Sequence, residues 1–158
     1  MGAPCATTLR PAHLAAAPTL AQMSRELVEA GLGWRYTPRR MAALIADPET
    51  VTLVACAAQR ILGFAVMQFG DAEAHLILLC VRPSQRQRGI GRGLHQWLLK
   101  SARVAGIASV ALELRADNAV ALRFYRRLGY TETRWLPDYY GDRIAARRMR
   151  LRLGAAEP

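Results

Sequence analysis

The stretch that decides the fold reads Cys80-Val-Arg-Pro-Ser-Gln-Arg-Gln-Arg-Gly89-Ile-Gly-Arg-Gly-Leu94. An apolar run over 75–81 leads into it, and a helical stripe with Leu94 and Leu98 leads out of it. A strand therefore turns directly into the N-terminus of a helix, where backbone N–H groups lack partners inside the helix. Because arginines surround this turn, it favours a phosphate-bearing ligand.

Two familiar phosphate-binding loops do not match the turn. A P-loop requires Gly-Lys followed by Ser or Thr, and no lysine follows these glycines. A dinucleotide fingerprint requires a sixth-position glycine, where this chain has Leu94. On the turn alone, two interpretations stay open: the glycines accommodate a ligand, or they only permit a tight reversal of the backbone.

The flanking patterns predict the element order β-α-α-β-β-β-α-β-α-β-β. A strand–helix–strand unit in its middle implies one parallel pair, and the neighbouring hairpins imply antiparallel pairs. We therefore predict an α+β protein, layered α/β/α, with a mixed and mostly antiparallel sheet of about seven strands and helices on both faces. Residues 1–153 are predicted to form a single domain, and 154–158 a flexible tail.

Charge is concentrated at the same turn. The chain of 158 residues has a net charge of +10, and no acidic residue occurs between Glu73 and Glu113. Such basicity raises nucleic-acid binding as an alternative, but no aromatic-interleaved strand face or recognition helix supports it. A second basic group, from Arg143 to Arg152, is typical of a solvated edge strand.

The three cysteines, Cys5, Cys56 and Cys80, show no metal-binding spacing, so no metal is expected. Scattered free cysteines are typical of a reducing compartment, which predicts a cytoplasmic protein. The longest apolar stretch covers only 76–81, which is too short for a membrane helix, and no membrane partner is expected.

A second informative segment lies downstream, over residues 112–130. After the strand that contains Glu113, the chain carries Asn118, then a helix with Tyr125, then Gly129-Tyr130. Together with the order Arg86-x-x-Gly-x-Gly, this block resembles the cofactor site of the GCN5-related N-acetyltransferases (GNATs). The resemblance implies the acyl-CoA N-acyltransferase fold, with acetyl-CoA as co-substrate and an amine as acceptor.

Within that family the chain most resembles bacterial ribosomal-protein alanine N-acetyltransferases. The segment Asp138-Tyr139-Tyr140-Gly141 is similar to one that those enzymes use near the peptide. The chain departs from them at Ile144-Ala145-Ala146, where they usually carry Glu-Asp-Ala.

The resemblance also implies a set of cofactor-binding residues. Backbone groups of one strand would bind the pantetheine arm, the turn would bind the pyrophosphate, and Asn118 would contact the arm from the following helix. These residues are Leu79, Cys80, Val81, Arg86, Gln87, Arg88, Gly89, Ile90, Gly91, Arg92, Asn118 and Tyr125.

For catalysis, the resemblance implies that Tyr125 protonates the departing thiolate. Glu113 is the preferred candidate for the base that deprotonates the amine, Glu73 is a second candidate acting through water, and His75 is a weaker one. Cys80 does not lie beside an evident base, so direct transfer in a ternary complex is expected rather than a covalent enzyme intermediate.

Several alternatives stay open. The acceptor is either a small amine or a protein N-terminus, and a non-catalytic acyl-CoA-binding or sensing module on the same fold is the main alternative to an enzyme. An exposed C-terminal strand leaves a homodimer open. Five aromatic residues either line the acceptor pocket or pack structurally: Trp34, Tyr36, Trp135, Tyr139 and Tyr140.

Overall fold

The computed structural model describes residues 6–154, in which seven strands form one sheet flanked by four α-helices. In chain order the elements are β1 (Thr8–Pro11), α1 (Ala17–Leu27), α2 (Pro38–Ala46), β2 (Thr50–Ala57), β3 (Arg60–Phe69), β4 (Glu73–Val81), α3 (Ile90–Val104), β5 (Ser109–Arg115), α4 (Ala119–Arg127), β6 (Thr131–Leu136) and β7 (Ala146–Arg152). Short 3₁₀ turns cover Leu14–Ala16 and Pro83–Gln85. The predicted element order is confirmed.

Local chemistry sets the helix boundaries. The Thr37 hydroxyl accepts from the N–H of Arg40 and caps α2, and the Asn118 Oδ1 caps α4 in the same way. Helix α1 has no side-chain cap at its N-terminus. It begins at Ala17, with proline in its first turn, and ends where the N–H groups of Val28 and Glu29 both donate to the Ser24 carbonyl.

The sheet order is β1-β2-β3-β4-β5-β7-β6, and β4–β5 is its parallel pair. This order confirms the predicted mixed, mostly antiparallel sheet. The interpretation of the C-terminal basic strand as a sheet edge is wrong, because β7 pairs with β5 on one side and β6 on the other. The strand at that edge is β6, and its residues are mostly exposed.

Two buried clusters lie on opposite faces of the sheet. Leu94 and Leu98 of α3 and Tyr125 of α4 pack on one face, and Leu20 of α1 and Met41 of α2 pack on the other. Each helix therefore buries its apolar stripe against the sheet, which produces three layers.

Strand β4 changes sides along its length because of a bulge. Val66 of β3 pairs with Leu78 and the next residue, Met67, pairs with Leu76, so Ile77 is the extra residue. Before the bulge, Leu76 packs in the α3–α4 cluster, whereas after it Leu78 packs in the α1–α2 cluster. The parallel pairing of β4 with β5 ends just before the bulge, at His75 and Ala111.

The predicted tail at 154–158 lies outside the described residues except for Gly154, and Cys5 also lies outside them. From residue 6 to residue 154, none of the helices has both the length and the apolar character needed to cross a bilayer.

Candidate active site

The predicted turn joins β4 to α3. Gln87 has φ of 63° and Gly89 has φ of 78°, so the backbone turns twice through the left-handed region before α3 begins. Gly89 meets the conformational demand without a steric penalty, since it has no Cβ. The first-turn N–H groups of α3 are then directed out of the helix end, where they are available to an anion.

The side chains at this turn divide into two groups. Arg86, Arg88 and Arg92 are exposed, and the Arg86 guanidinium also donates to the Val81 carbonyl at 3.3 Å. Ile90 is 7% exposed and belongs to the core, so only its backbone is available to a ligand. The turn therefore offers exposed positive charge beside the N–H groups of a helix N-terminus, which suits a phosphate group.

The next feature is a gap in the sheet beside β4. Leu79, Cys80 and Val81 pair with β3 on one side, while the parallel ladder to β5 covers only Glu73 to His75 on the other. Beyond His75 the two strands diverge, which leaves one edge of β4 without a β5 partner in the described residues. Burial raises the pKa of the Cys80 thiol to about 11, so this cysteine remains a neutral thiol and a poor nucleophile.

Helix α4 contributes two of the predicted residues. The Asn118 Oδ1 accepts from the Ala121 N–H at 3.1 Å, which uses the carbonyl oxygen for the cap and leaves the amide NH₂ for another partner. Tyr125 is 8% exposed and packs edge-on against Phe124 and Tyr130. Burial, with a smaller contribution from Tyr140, raises the pKa of Tyr125, so the phenol keeps its proton at neutral pH.

Glu113 of β5 lies in a three-residue cluster. Its Oε2 is 2.5 Å from the Nε2 of His75, and its Oε1 accepts from the Arg148 Nε at 2.9 Å. Burial acts to raise the pKa of Glu113, but the hydrogen bonds and charges of His75 and Arg148 outweigh it and lower that pKa. The carboxylate is therefore ionised and has both oxygens occupied.

Glu73, the second predicted carboxylate, lies at the start of β4. Its Oε2 accepts from the Ser109 hydroxyl at 2.9 Å and lies 3.0 Å from the Arg150 Nε. Its side chain is 43% exposed. The structure thus separates the two carboxylates, since Glu113 lies beside the point where the strands diverge and Glu73 lies at the paired end.

Two of the aromatic residues form part of the α1–α2 layer. Trp34 and Tyr36 pack against the cluster of that layer, and the Trp34 indole donates to the Ala21 carbonyl at 3.3 Å. Trp135 is half exposed and lies under the Arg147 guanidinium. Tyr139 and Tyr140 stack edge-on in the loop between β6 and β7, with ring centres 4.9 Å apart.

A family model described as the acetyltransferase (GNAT) family matches residues 20–130, which is most of the chain. The chain belongs to the GNAT family. The matched residues include the bulged strand, the turn before α3 and the helix that carries Tyr125.

Known GNAT proteins resemble this chain in sequence and in fold. An Escherichia coli K12 enzyme named [ribosomal protein bS18]-alanine N-acetyltransferase is 36% identical over 77 residues, covering 49% of this chain and 52% of its own length. The chain thus spans about half the length of the curated relatives it matches. Ard1 from Thermoplasma volcanium superposes with a TM-score of 0.84 and 28% identity, covering 94% of this chain and 99% of that one. Arabidopsis thaliana NAA60 in complex with acetyl-CoA shares the fold, with a TM-score of 0.83, 18% identity, and coverage of 94% and 99%.

Sequence reasoning missed two features of this GNAT site. The first is the contact between His75 and Glu113, which are 38 positions apart and meet only because β4 and β5 are neighbours. The second is the buried Glu29, whose carboxylate accepts from the Ser24 hydroxyl and from the N–H groups of Arg35 and Tyr36. A single glutamate in the sequence indicates neither a contact with a distant histidine nor a buried set of hydrogen bonds.

Proposed function

We propose that this protein is an acetyl-CoA-dependent N-acetyltransferase that moves an acetyl group directly to a primary amine. This proposal rests on three features that occur together: the edge of β4 that diverges from β5, the turn with free N–H groups at the start of α3, and the buried, protonated Tyr125 beside them. Acetyl-CoA would supply an activated acetyl carbon as a thioester. Direct transfer is favoured because the Cys80 thiol is buried and its pKa is raised to about 11.

The residues available at this surface fit acetyl-CoA. Coenzyme A carries several negative charges, and the arginines of the turn lie in the acid-free part of the sequence. The first-turn amides of α3 would bind the pyrophosphate, together with Arg86, Arg88 and Arg92. The open edge of β4 at Leu79 to Val81 would pair with the amide groups of the pantetheine arm, and the Asn118 amide would bind it from α4.

Tyr125 would donate a proton to the thiolate that leaves. A thiol has an ordinary pKa near 8.5, so protonation helps the departure without being indispensable. We therefore expect Tyr125→Phe to slow thiol release while leaving the stabilisation by acetyl-CoA unchanged, because the ring packing is retained. An unchanged rate in Tyr125→Phe would remove this tyrosine from the acid role.

A protein N-terminus is the acceptor that we favour over a small amine. Two curated relatives are named for such substrates: the E. coli bS18-alanine enzyme and an N-alpha-acetyltransferase of Sulfurisphaera tokodaii, which is 34% identical over 71 residues. A mass-resolved screen should find acetylated peptides with free N-termini, and acetylation of polyamines or aminoglycosides alone would favour the small-amine alternative.

One experiment separates the enzyme from a non-catalytic binding module. Acetyl-CoA should raise the unfolding temperature in either case, since a ligand that binds the native state stabilises it. Release of free thiol in the presence of the acceptor panel is expected only for the enzyme. Absence of any stabilisation at saturating acetyl-CoA would contradict both.

The remaining expectations stay predictions. They are a single domain over 1–153, a cytoplasmic location, no metal, no nucleic-acid or membrane partner, and the option of a homodimer. If strand pairing mediates a dimer at this end of the sheet, the exposed edge is β6 and not β7.

A further inference from the structure

The acceptor ammonium must lose a proton before its nitrogen can attack the acetyl carbon. Sequence favours Glu113, yet its side chain is only 8% exposed and both of its oxygens are engaged, one by His75 and one by Arg148. A carboxylate that is stabilised by two such partners holds protons weakly. Glu113 is therefore poorly suited to remove a proton from an ammonium group itself.

His75 has the complementary properties. Its side chain is 43% exposed, and it is the last residue of β4 that pairs with β5 before the strands diverge. An ionised carboxylate can only accept hydrogen bonds, so the Nε2 beside Glu113 must carry the ring proton. The neutral ring then keeps its lone pair on Nδ1, which is the atom able to accept a proton.

We propose that His75 takes the proton from the acceptor ammonium and that Glu113 is a positioning residue that fixes the imidazole tautomer and stabilises its protonated form. This inference rests on the proposed function. Arg148 completes the arrangement, because its guanidinium holds the Glu113 carboxylate from the neighbouring strand β7.

The surroundings of the pair contain both signs of charge. Glu73 lies two residues away on β4 and is bound to Arg150 of β7. The loops contribute further groups whose charges act on Glu113 or on the tyrosines beside it. These groups are Arg35, Tyr36, Tyr139 and Tyr140. Among the charged groups of this region, Glu113 makes the hydrogen bond to the imidazole.

In the proposed reaction the acceptor nitrogen loses two protons and forms one bond to carbon. His75 accepts one proton from the acceptor ammonium and passes it to water, which frees the nitrogen lone pair. The nitrogen forms the new C–N bond to the acetyl carbon as the C–S bond breaks. Tyr125 gives its proton to the thiolate, and the second proton lost by the nitrogen replaces it.

The test uses the full chain with acetyl-CoA and a peptide acceptor found in the screen, and it records kcat/KM from pH 5.5 to 9. In the wild type we expect the rate to fall at acidic pH as the base becomes protonated. His75→Ala should lose this acidic limb together with at least about 100-fold in rate. Added imidazole should restore at least about tenfold, because the half-exposed site admits a small ring.

Glu113→Gln distinguishes positioning from direct catalysis. If His75 is the base, the acidic limb persists in Glu113→Gln, because the group that accepts the proton is still present. His13→Gln, at an exposed histidine before α1, is the control and should leave the profile unchanged. Stabilisation by acetyl-CoA should be equal in all variants, which shows that they are folded.

The outcomes separate this inference from the proposed function. A wild-type protein that releases no thiol with any acceptor contradicts the proposed function. An active wild type overturns the inference if His75→Ala keeps its rate and acidic limb, if imidazole restores nothing, or if the limb disappears in Glu113→Gln instead.

Discussion

The protein should lose stability as the pH falls from 6.5 toward 4, because of the buried side chain of His95. This histidine of α3 is 1% exposed, and its Nε2 lies 2.8 Å from the Tyr130 hydroxyl. Burial, with a smaller contribution from the positive charge of Arg103, lowers the pKa of His95 to about 4. The native protein therefore keeps this ring neutral at pH values where an unfolded chain protonates it.

The difference in the pKa of His95 between the folded and unfolded chain makes stability depend on pH. A depressed native pKa gives stability that is fully present above the ordinary value of 6.5 and is lost as the pH falls from there toward 4. At pH 5 the unfolded ring is about 97% protonated and the native ring about 9%, which amounts to about 2 kcal/mol of lost stability relative to pH 7.5.

Urea unfolding at pH 7.5 and pH 5.0 measures this loss. The wild type should lose about 2 kcal/mol more than His95→Gln between the two pH values, because glutamine does not titrate. Tyr130→Phe serves as the matched control: it removes the hydroxyl partner and lowers stability by about 1–3 kcal/mol at both pH values, while the pH-dependent loss remains. If the wild type and His95→Gln lose stability in parallel, the reasoning about this buried ring is refuted.

Two further predictions concern the buried Glu29 after α1 and Gly63 of β3. Glu29→Ala should lower stability by about 2–4 kcal/mol, since the Ser24 hydroxyl and the N–H groups of Arg35 and Tyr36 lose their hydrogen-bond acceptor. It should also raise KM for the acceptor amine only. Urea unfolding and rate measurements check this against the exposed Glu26→Ala, and an unchanged unfolding curve would contradict it. Gly63→Ala should lower stability by about 1–3 kcal/mol and weaken stabilisation by acetyl-CoA, since a Cβ there would lie 2.8 Å from the Cys80 carbonyl oxygen. Gly33→Ala is the control, because a Cβ there meets no described atom within 4 Å apart from its chain neighbours. Equal behaviour of the two variants would refute the reasoning.

Much of the fold was predictable because local patterns and long-range packing agree. The alternation along 109–115 and the stripe of Leu94 and Leu98 predict their elements directly. The boundary of α1 was not predictable, because it depends on where Pro18 starts the turn and where the Ser24 carbonyl takes two donors. The interior position of β7 was also missed, because a strand rich in arginine is typical of an exposed sheet edge. In the structure, arginines of β7 pair with Glu73, Glu113 and Glu132.

The candidate site divides in the same way. Glycines at 89 and 91, the arginines of the turn and the Asn118 cap are read from sequence because they act within one short segment. The contacts of Glu113 could not be predicted from the sequence, because its partners His75 and Arg148 lie 38 and 35 positions away and are brought together by strand register. Register across a sheet depends on the bulge at Ile77 and on burial of both faces, which no local pattern specifies.

The sequence by itself thus determined the order of elements and the turn with its glycines and arginines between β4 and α3, because turn chemistry and hydrophobic period are local properties of the chain. Only the tertiary structure decided which carboxylate lies at the opening between β4 and β5, and that it is bound on both sides. The physical reason is that the proton affinity of a side chain is set by its neighbours in space, and the two neighbours of Glu113 come from the two strands on either side of β5.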